Sequence, residues 1–303
     1  MKYINFGSKS VSSVVMGCMR INQMNRSEAF SLIDAAVELG INHFDHADIY
    51  GGGECESIFG EYMLRNPSNR DKLFIQSKCG IREGYYDFSG EHILKSVEQS
   101  LNRLHIDSLD CLLLHRPDAL FEPEEIAQTF ERLYTDGKVK AFGVSNMNSM
   151  QLELLRKYVK APIIANQLQF GPMFTGMIDF ALNENMTKPE SVDRDGMILD
   201  YCRLNNITIQ AWSPFQYGFF EGVFVDNDKF PLLNECLRNI AEIYGVTKNA
   251  VVSAWVLRHP ANMQIIAGTT KINRLAEIAQ GADITLTRKQ WYEIYTATGK
   301  TLP

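Results

Sequence analysis

Short, nearly continuous apolar runs alternate along the chain with longer stretches of helical period. The runs occupy residues 14–16, 41–44, 73–77, 109–114, 139–144, 163–168, 207–211 and 264–267. Apolar runs of this length, bounded by turn residues, read as strands buried on both faces. Helical patterns follow near 27–39, 55–65, 91–104, 123–135, 149–158, 195–204, 232–244 with 248–258, and 273–280, and a last one spans 288–298. Ser27 is placed to cap the first helix and Gly40 to end it. Ahead of the first run, residues 2–5 and 10–13 alternate around Gly7-Ser8-Lys9, the pattern of a small β-hairpin.

Eight strand–helix units in succession imply a parallel sheet, and eight is the number that closes a (β/α)8 TIM barrel. The expected architecture is therefore an α/β barrel forming one domain over 1–303. Residues 1–13 form a hairpin lid at its bottom and an extra helix follows the last unit. An open doubly wound sheet would show a Gly-x-Gly-x-x-Gly turn after its first strand. This chain has Gly17-Cys18-Met19-Arg20 there. Two segments interrupt the rhythm. Residues 171–194 mix Pro, Gly, Asn and charge over a length that points to a binding loop or lid. Residues 217–230 are rich in Phe and Gly, and Phe219, Phe220 and Phe224 either pack that loop or line an apolar pocket.

Composition narrows the function classes. Apolar residues make up 45% of the 303 and charged residues 22%, with a formal net charge of −6, as in ordinary soluble enzymes. No basic stripe points to nucleic acid. No apolar run approaches the ~18 residues of a membrane span, and the N-terminus lacks a signal core. The six cysteines (18, 55, 79, 111, 202 and 236) include no Cys-x-x-Cys, which argues against a zinc site or disulfide framework. A cytoplasmic protein with a small-molecule substrate is expected, and the oligomeric state is not legible.

The chemistry gathers where the apolar runs stop, which in a barrel is the active face. In order these ends carry Gly17-Cys18-Met19, Asp45 with Tyr50, Lys78, His115, Ser145-Asn146, Gln167, Trp212-Ser213 and Gly268-Thr269-Thr270. Lys78 closes an apolar run, and a buried ammonium needs a partner. Asp45, on the neighbouring strand, is the obvious one. An ammonium beside Tyr50 is expected to lower a phenol pKa that is otherwise near 10. His115 can hydrogen-bond a substrate oxygen beside the Tyr50 hydroxyl. The group reads as a proton donor aimed at a carbonyl oxygen, and because side chains supply no hydride, a nicotinamide cofactor is implied. Each residue also has a plainer reading: Lys78 as an edge charge, His115 as the start of a loop with Arg116 and Asp118 paired at the surface, and His43 and His46 as structural.

The segment Phe44-Asp45-His46-Ala47-Asp48-Ile49-Tyr50-Gly51 resembles the Phe-Asp-Thr-Ala-x-x-Tyr-Gly signature of the aldo-keto reductase superfamily. Ser77-Lys78-Cys79-Gly80 and Leu113-Leu114-His115-Arg116-Pro117 are similar to the segments bearing the other two members of its tetrad. In detail these forms are similar to a bacterial subgroup of oxidoreductases. The resemblance implies Tyr50 as general acid, Lys78 and Asp45 as its tuning pair, and His115 as substrate orienter. It further implies cofactor contacts from Gly17, Cys18, Met19 and Asp45, and nicotinamide contacts from Ser145, Asn146 and Gln167. Trp212 would stack on the nicotinamide ring, Ser213, Pro214 and Phe215 would follow the pyrophosphate, and Gly268, Thr269, Thr270 and Arg274 would hold a 2′-phosphate. Glu277 falls at an adenine-side position. The chain departs from the family pattern at Gly268, where many members carry a lysine, and at Ile278, where many carry an asparagine.

Together these readings imply NADPH-dependent reduction of an aldehyde or ketone, with NADPH preferred over NADH and no metal. A cofactor-binding redox sensor with little turnover, and a metal-dependent lyase or hydrolase on the same barrel, are the competing classes. Phe170, Met173, Phe174 and Phe219 point to an apolar substrate or pack the loops.

Overall fold

Eight parallel strands close into a barrel whose order follows the chain. They are β1 (Val14–Gly17), β2 (His43–Asp45), β3 (Phe74–Cys79), β4 (Cys111–Leu114), β5 (Phe142–Ser145), β6 (Ile163–Gln169), β7 (Thr208–Trp212) and β8 (Met263–Ala267). The computed structural model describes residues 1–303. The helices are α1 (Arg26–Glu38), α2 (Glu54–Arg65), α3 (Gly90–Leu104), α4 (Pro123–Thr135), α5 (Ser149–Tyr158), α6 (Gly176–Leu182), α7 (Ile198–Leu204), α8 (Pro231–Tyr244), α9 (Lys248–Leu257), α10 (Ile272–Gln280) and α11 (Arg288–Ala297). No helix is long and apolar enough to cross a membrane.

Three local expectations change. The cap of α1 is Asn25, not Ser27: its side chain accepts from the Glu28 backbone N–H while the Glu28 carboxylate accepts from that of Asn25. Such a reciprocal box contributes about 1 kcal/mol. The helix expected from residue 195 begins at Ile198, because Asp193 Oδ1 holds the backbone N–H groups of Asp195 and Gly196 in a turn. The 171–194 segment contains α6, which a short apolar run inside a polar stretch did not reveal. Its Asp179 accepts from the Tyr295 hydroxyl on α11 at 2.9 Å.

The large apolar cluster lies mainly between the strands and the helices that surround them. A smaller one joins Phe6 and Val11 of the N-terminal hairpin to Phe74, Cys111, Ala141 and Ile164, at or near the starts of the barrel strands. The last helix is fastened by two indoles. Trp255 and Trp291 stack at 4.7 Å, and each donates its ring N–H to the other's carbonyl.

Strand register sets the site. Asp45, the last residue of β2, lies opposite Gln76 of β3. Side chains alternate along a strand, so Gln76 and Lys78 share a face, with Lys78 one step nearer the mouth. Both reach Asp45.

Candidate active site

Beyond β2 the chain keeps pairing with β3: the His46 and Asp48 backbone N–H groups donate to the carbonyls of Gln76 and Lys78. It then turns through Tyr50–Gly53 with Gly51 and Gly53 at φ of 59° and 96°. The positive φ is what calls for glycine here, and a side chain would in addition push neighbouring side chains aside. A Cβ on Gly51 would stand 2.6 Å from Asn22, and one on Gly53 2.9 Å from Arg103. The turn delivers Tyr50 to the mouth and starts α2. That helix is tied back to the barrel by buried Glu56, which accepts from the Ser77 hydroxyl and the Arg103 guanidinium.

Lys78 is fully buried, and its three N–H donors are all used. Nζ donates to Asp45 Oδ2 at 2.8 Å, to the His46 carbonyl at 2.7 Å and to Tyr50 Oη at 3.0 Å. Burial works against the Lys78 charge, but Asp45 and Tyr50 together raise its pKa above the usual lysine value. The expected lowering of the Tyr50 pKa is not what the structure produces. Burial raises it, and the opposing pull of Lys78 is smaller, with Asp45 adding to the rise. The phenol is an acid held protonated, not one poised to ionise. His115 stands edge-on to Tyr50 with ring centres 5.9 Å apart. Burial, then the charges of Lys78 and Arg116, keep its imidazole well below the ordinary histidine pKa and hence neutral. Its Nδ1 is buried with no hydrogen-bond partner.

Asp45 is itself anchored from below. Its Oδ1 accepts from Gln76 Nε2 at 2.6 Å and Gln167 Nε2 at 3.1 Å. Both amides also donate to Gln210 Oε1, and Gln210 Nε2 donates to Gln76 and to Gln264. Gln264 donates in turn to His43 Nδ1 and to the Ser12 carbonyl of the hairpin. Four glutamines thus carry a ladder of buried amides through the barrel interior, where branched apolar side chains usually predominate. It gives His43 a structural partner, while His46 acts through its backbone alone and buries both ring nitrogens unpaired. Gln210→Leu strands more than one buried amide, at roughly 1–3 kcal/mol each. A stability loss of about 2–4 kcal/mol is expected, read as a lower urea midpoint; an unchanged midpoint would mean that the ladder is not structural.

A cavity of about 510 Å³ opens above this group. Gly17, Met19, Asp45, Tyr50, His115, Ser145, Asn146, Gln167, Trp212, Ser213, Pro214, Phe215, Gly268, Thr269 and Arg274 line it. Cys18 does not, because its side chain is fully buried with the thiol near the Met16 carbonyl. Thr270 and Glu277 line an adjoining open groove that Arg274 shares. Glu277 accepts from Asn249 Nδ2 at 2.7 Å, and Arg274 has no carboxylate within ion-pair reach. Of the aromatic residues, Phe219 and Phe220 line the cavity and surround Trp212, whereas Phe224 is core. Phe170 is also core, stacked on Trp255. Arg20, Arg116 and Gln216 are polar lining residues for which the sequence reading indicated no place in the site, Arg116 being expected in a surface pair with Asp118. The first two directly follow strand-end residues it had singled out, and that adjacency was the available signal.

The donor set suits a nicotinamide dinucleotide. Trp212 Nε1 donates to Asn146 Oδ1, and Asn146 Nδ2 to Ser145 Oγ, which fixes an aromatic plane beside two polar side chains. The amide nitrogen of Gln167 is committed to the ladder, leaving Oε1 without a protein donor. Arg274, which lines both the cavity and the adjoining groove, is a free guanidinium of the kind that a phosphate dianion matches.

Residues 13–297 match the sequence model of the Aldo/keto reductase family. "Uncharacterized oxidoreductase YcsN" of Bacillus subtilis (strain 168) is 36% identical over 301 residues, covering 94% of each chain. "6-dehydroglucose reductase" of Agrobacterium fabrum (strain C58 / ATCC 33970) is 33% identical over 305 residues, covering 96% of this chain and 95% of its own. Among solved structures, the thermostable aldo-keto reductase Tm1743 superposes with a TM-score of 0.79 at 24% identity, over 98% of this chain and 100% of that one. An aldo-keto reductase from Klebsiella pneumoniae, solved in complex with NADPH, superposes with a TM-score of 0.77 at 22% identity, over 97% and 93%. At these identities the structural likeness speaks for the fold alone.

Proposed function

The chain belongs to the aldo/keto reductase family and is an NAD(P)H-dependent oxidoreductase, and on that premise we propose that it reduces an aldehyde or ketone to the alcohol, with NADPH as reductant and Tyr50 as proton donor. The observation that carries this reading is the single ammonium of Lys78, bonded at once to the Asp45 carboxylate and the Tyr50 hydroxyl beneath the cavity. A bound nicotinamide supplies the hydride. Trp212, Ser145, Asn146 and Gln167 would hold its ring end, Ser213 to Phe215 its middle, and Arg274 with Gly268 and Thr269 its 2′-phosphate.

The protein's own part is to place and move one proton. Tyr50 Oη holds it, because burial keeps the phenol from ionising. Neutral His115 offers a hydrogen bond to the same substrate oxygen without competing as an acid. As the oxygen gains charge, Tyr50 gives up its proton, and the adjacent ammonium stabilises the phenolate that remains. Asp45 and the amide ladder hold that ammonium in place.

The test is consumption of NADPH against a panel of aldehydes and ketones. Binding of NADPH with no turnover across the panel would instead favour a redox sensor. The pH dependence is fixed in sign. Reduction needs protonated Tyr50, whose pKa lies above the ordinary 10, so kcat is expected to stay level through the neutral range and to fall only on the alkaline side of about pH 10. A decline centred between pH 6 and 8 would remove Tyr50 as the titrating donor. Arg274→Ala is expected to weaken NADPH about 10- to 100-fold, the range of a charge-assisted hydrogen bond. NADH, which lacks the phosphate, should change far less, and equal losses for both would remove the 2′-phosphate role.

A further inference from the structure

Arg116 follows His115 at the end of β4. In the closed ring β4 lies across from β8, the strand that leads into Gly268 and Arg274. Arg116 is therefore on the opposite wall from the residues assigned to the phosphate end of the cofactor. It is half-buried, it lines the cavity that holds Tyr50 and His115, and its guanidinium carbon sits 5.5 Å from the centre of the Trp212 ring. It donates no hydrogen bond to the protein and has no carboxylate within ion-pair distance. The acid expected as its partner, Asp118, is engaged elsewhere: its oxygens accept from the backbone N–H groups of Phe88 and Leu120. The two acids lining the cavity are also committed, Asp45 to Lys78 and Asp226 to Lys248. Arg20, by contrast, donates to the Gly268 carbonyl on the β8 side.

A second chamber of about 350 Å³ adjoins the cavity and shares Arg116, Asn146, Trp212 and Phe219 with it. Arg194 also lines this chamber and donates only to carbonyls of its own loop, those of Val192 and Pro189. The one acid there, Asp195, accepts from the Ile198 backbone N–H at the start of α7. A guanidinium presents five donors in a planar fork, and those of Arg116 meet no protein acceptor and stay open to the cavity, where a ligand can take them. An oxyanion matches the fork with paired, charge-assisted bonds. The indole face holds the cation without neutralising it.

We propose that Arg116 is an anion receptor and that the substrate is a carbonyl compound bearing a carboxylate or phosphate, with its carbonyl against Tyr50 and His115 and its body in the Arg194 chamber. This rests on the carbonyl-reduction reading and narrows it to a charged substrate class, in place of the apolar substrate that was one of two readings of the loop aromatics.

The experiment compares matched pairs with NADPH as reductant: 4-oxobutanoate with butanal, and glyceraldehyde 3-phosphate with glyceraldehyde. The anionic member of at least one pair is expected to have a kcat/KM at least about tenfold higher, mainly through KM. The pair that shows the preference identifies carboxylate or phosphate. Arg116→Gln should bring that ratio close to one, and Arg116→Lys, which keeps the charge but loses the fork, should retain part of it. Calorimetric titration with succinate and with inorganic phosphate, without turnover, should show at least about tenfold weaker binding in Arg116→Gln than in the wild type. Neutral substrates reduced as well as both anions, or a preference that survives Arg116→Gln with anion binding unchanged, would overturn the receptor. Failure of all four carbonyls to consume NADPH would count against the carbonyl-reduction reading instead, and the calorimetric comparison would still decide the receptor.

Discussion

Tyr50→Phe is expected to lower kcat for carbonyl reduction by about 10²–10⁴-fold, the range that a positioned general acid contributes. The change removes one oxygen and keeps the ring, so the edge-on packing against His115 persists. Only the proton and the hydrogen bond from Lys78 are lost. NADPH affinity should stay within about threefold, because no backbone moves and the ring wall of the cavity remains. Stopped-flow measurement of NADPH oxidation, with a separate fluorescence titration of the cofactor, distinguishes the two quantities. Activity retained at the wild-type level would dismiss Tyr50 as the donor, and a matching loss of cofactor affinity would assign the residue to binding.

Lys78→Met is expected to damage both fold and activity. Asp45 is almost fully buried, and the substitution leaves its carboxylate with two amide donors and no cation. Breaking one side of a buried ion pair typically costs about 3–5 kcal/mol. The His46 carbonyl and the Tyr50 hydroxyl lose their donor in the same step. The diagnostic comparison is the double variant Asp45→Asn/Lys78→Met. Removing both charges should recover much of the lost stability without recovering activity, because the uncompensated charge is gone while the phenol still lacks its ammonium. Urea unfolding of the two variants and the wild type provides the measurement. A double variant no more stable than Lys78→Met would mean that the pair is not the source of the loss.

Both predictions concern residues that were visible in the sequence, and the reason is local. Asp45, Lys78 and His115 each end an apolar run, and the end of a parallel strand is defined by the pattern of the run itself. Tyr50 was legible through its glycine-rich surroundings, since three successive glycines mark a turn that ordinary side chains could not make. What escaped was of a different kind. Gln76, Gln210 and Gln264, which join Gln167 in the ladder, stand in three separate runs, up to 188 positions apart by subtraction of their numbers. Each looks like an ordinary polar break in an apolar strand. Arg116 looked like half of a surface pair, and the backbone N–H groups that engage Asp118 were not visible as its competitors. Helix α6 was hidden because a seven-residue helix offers too short a period to stand out from an irregular segment.

The sequence by itself determined the number and order of the strand–helix units and the face on which chemistry gathers, because strand period, helix period and turn residues act over a few neighbours. It also placed an acid, a base and a phenol at adjacent strand ends. The closed barrel decided the balance among them. Burial outweighs the ammonium at Tyr50 and so reverses the expected direction of its pKa. Convergence of strands remote in sequence assembles the amide ladder beneath Asp45, and the engagement of Asp118 elsewhere leaves Arg116 free. Desolvation and the competition for partners depend on everything packed around a group, and that is a property of the fold in three dimensions.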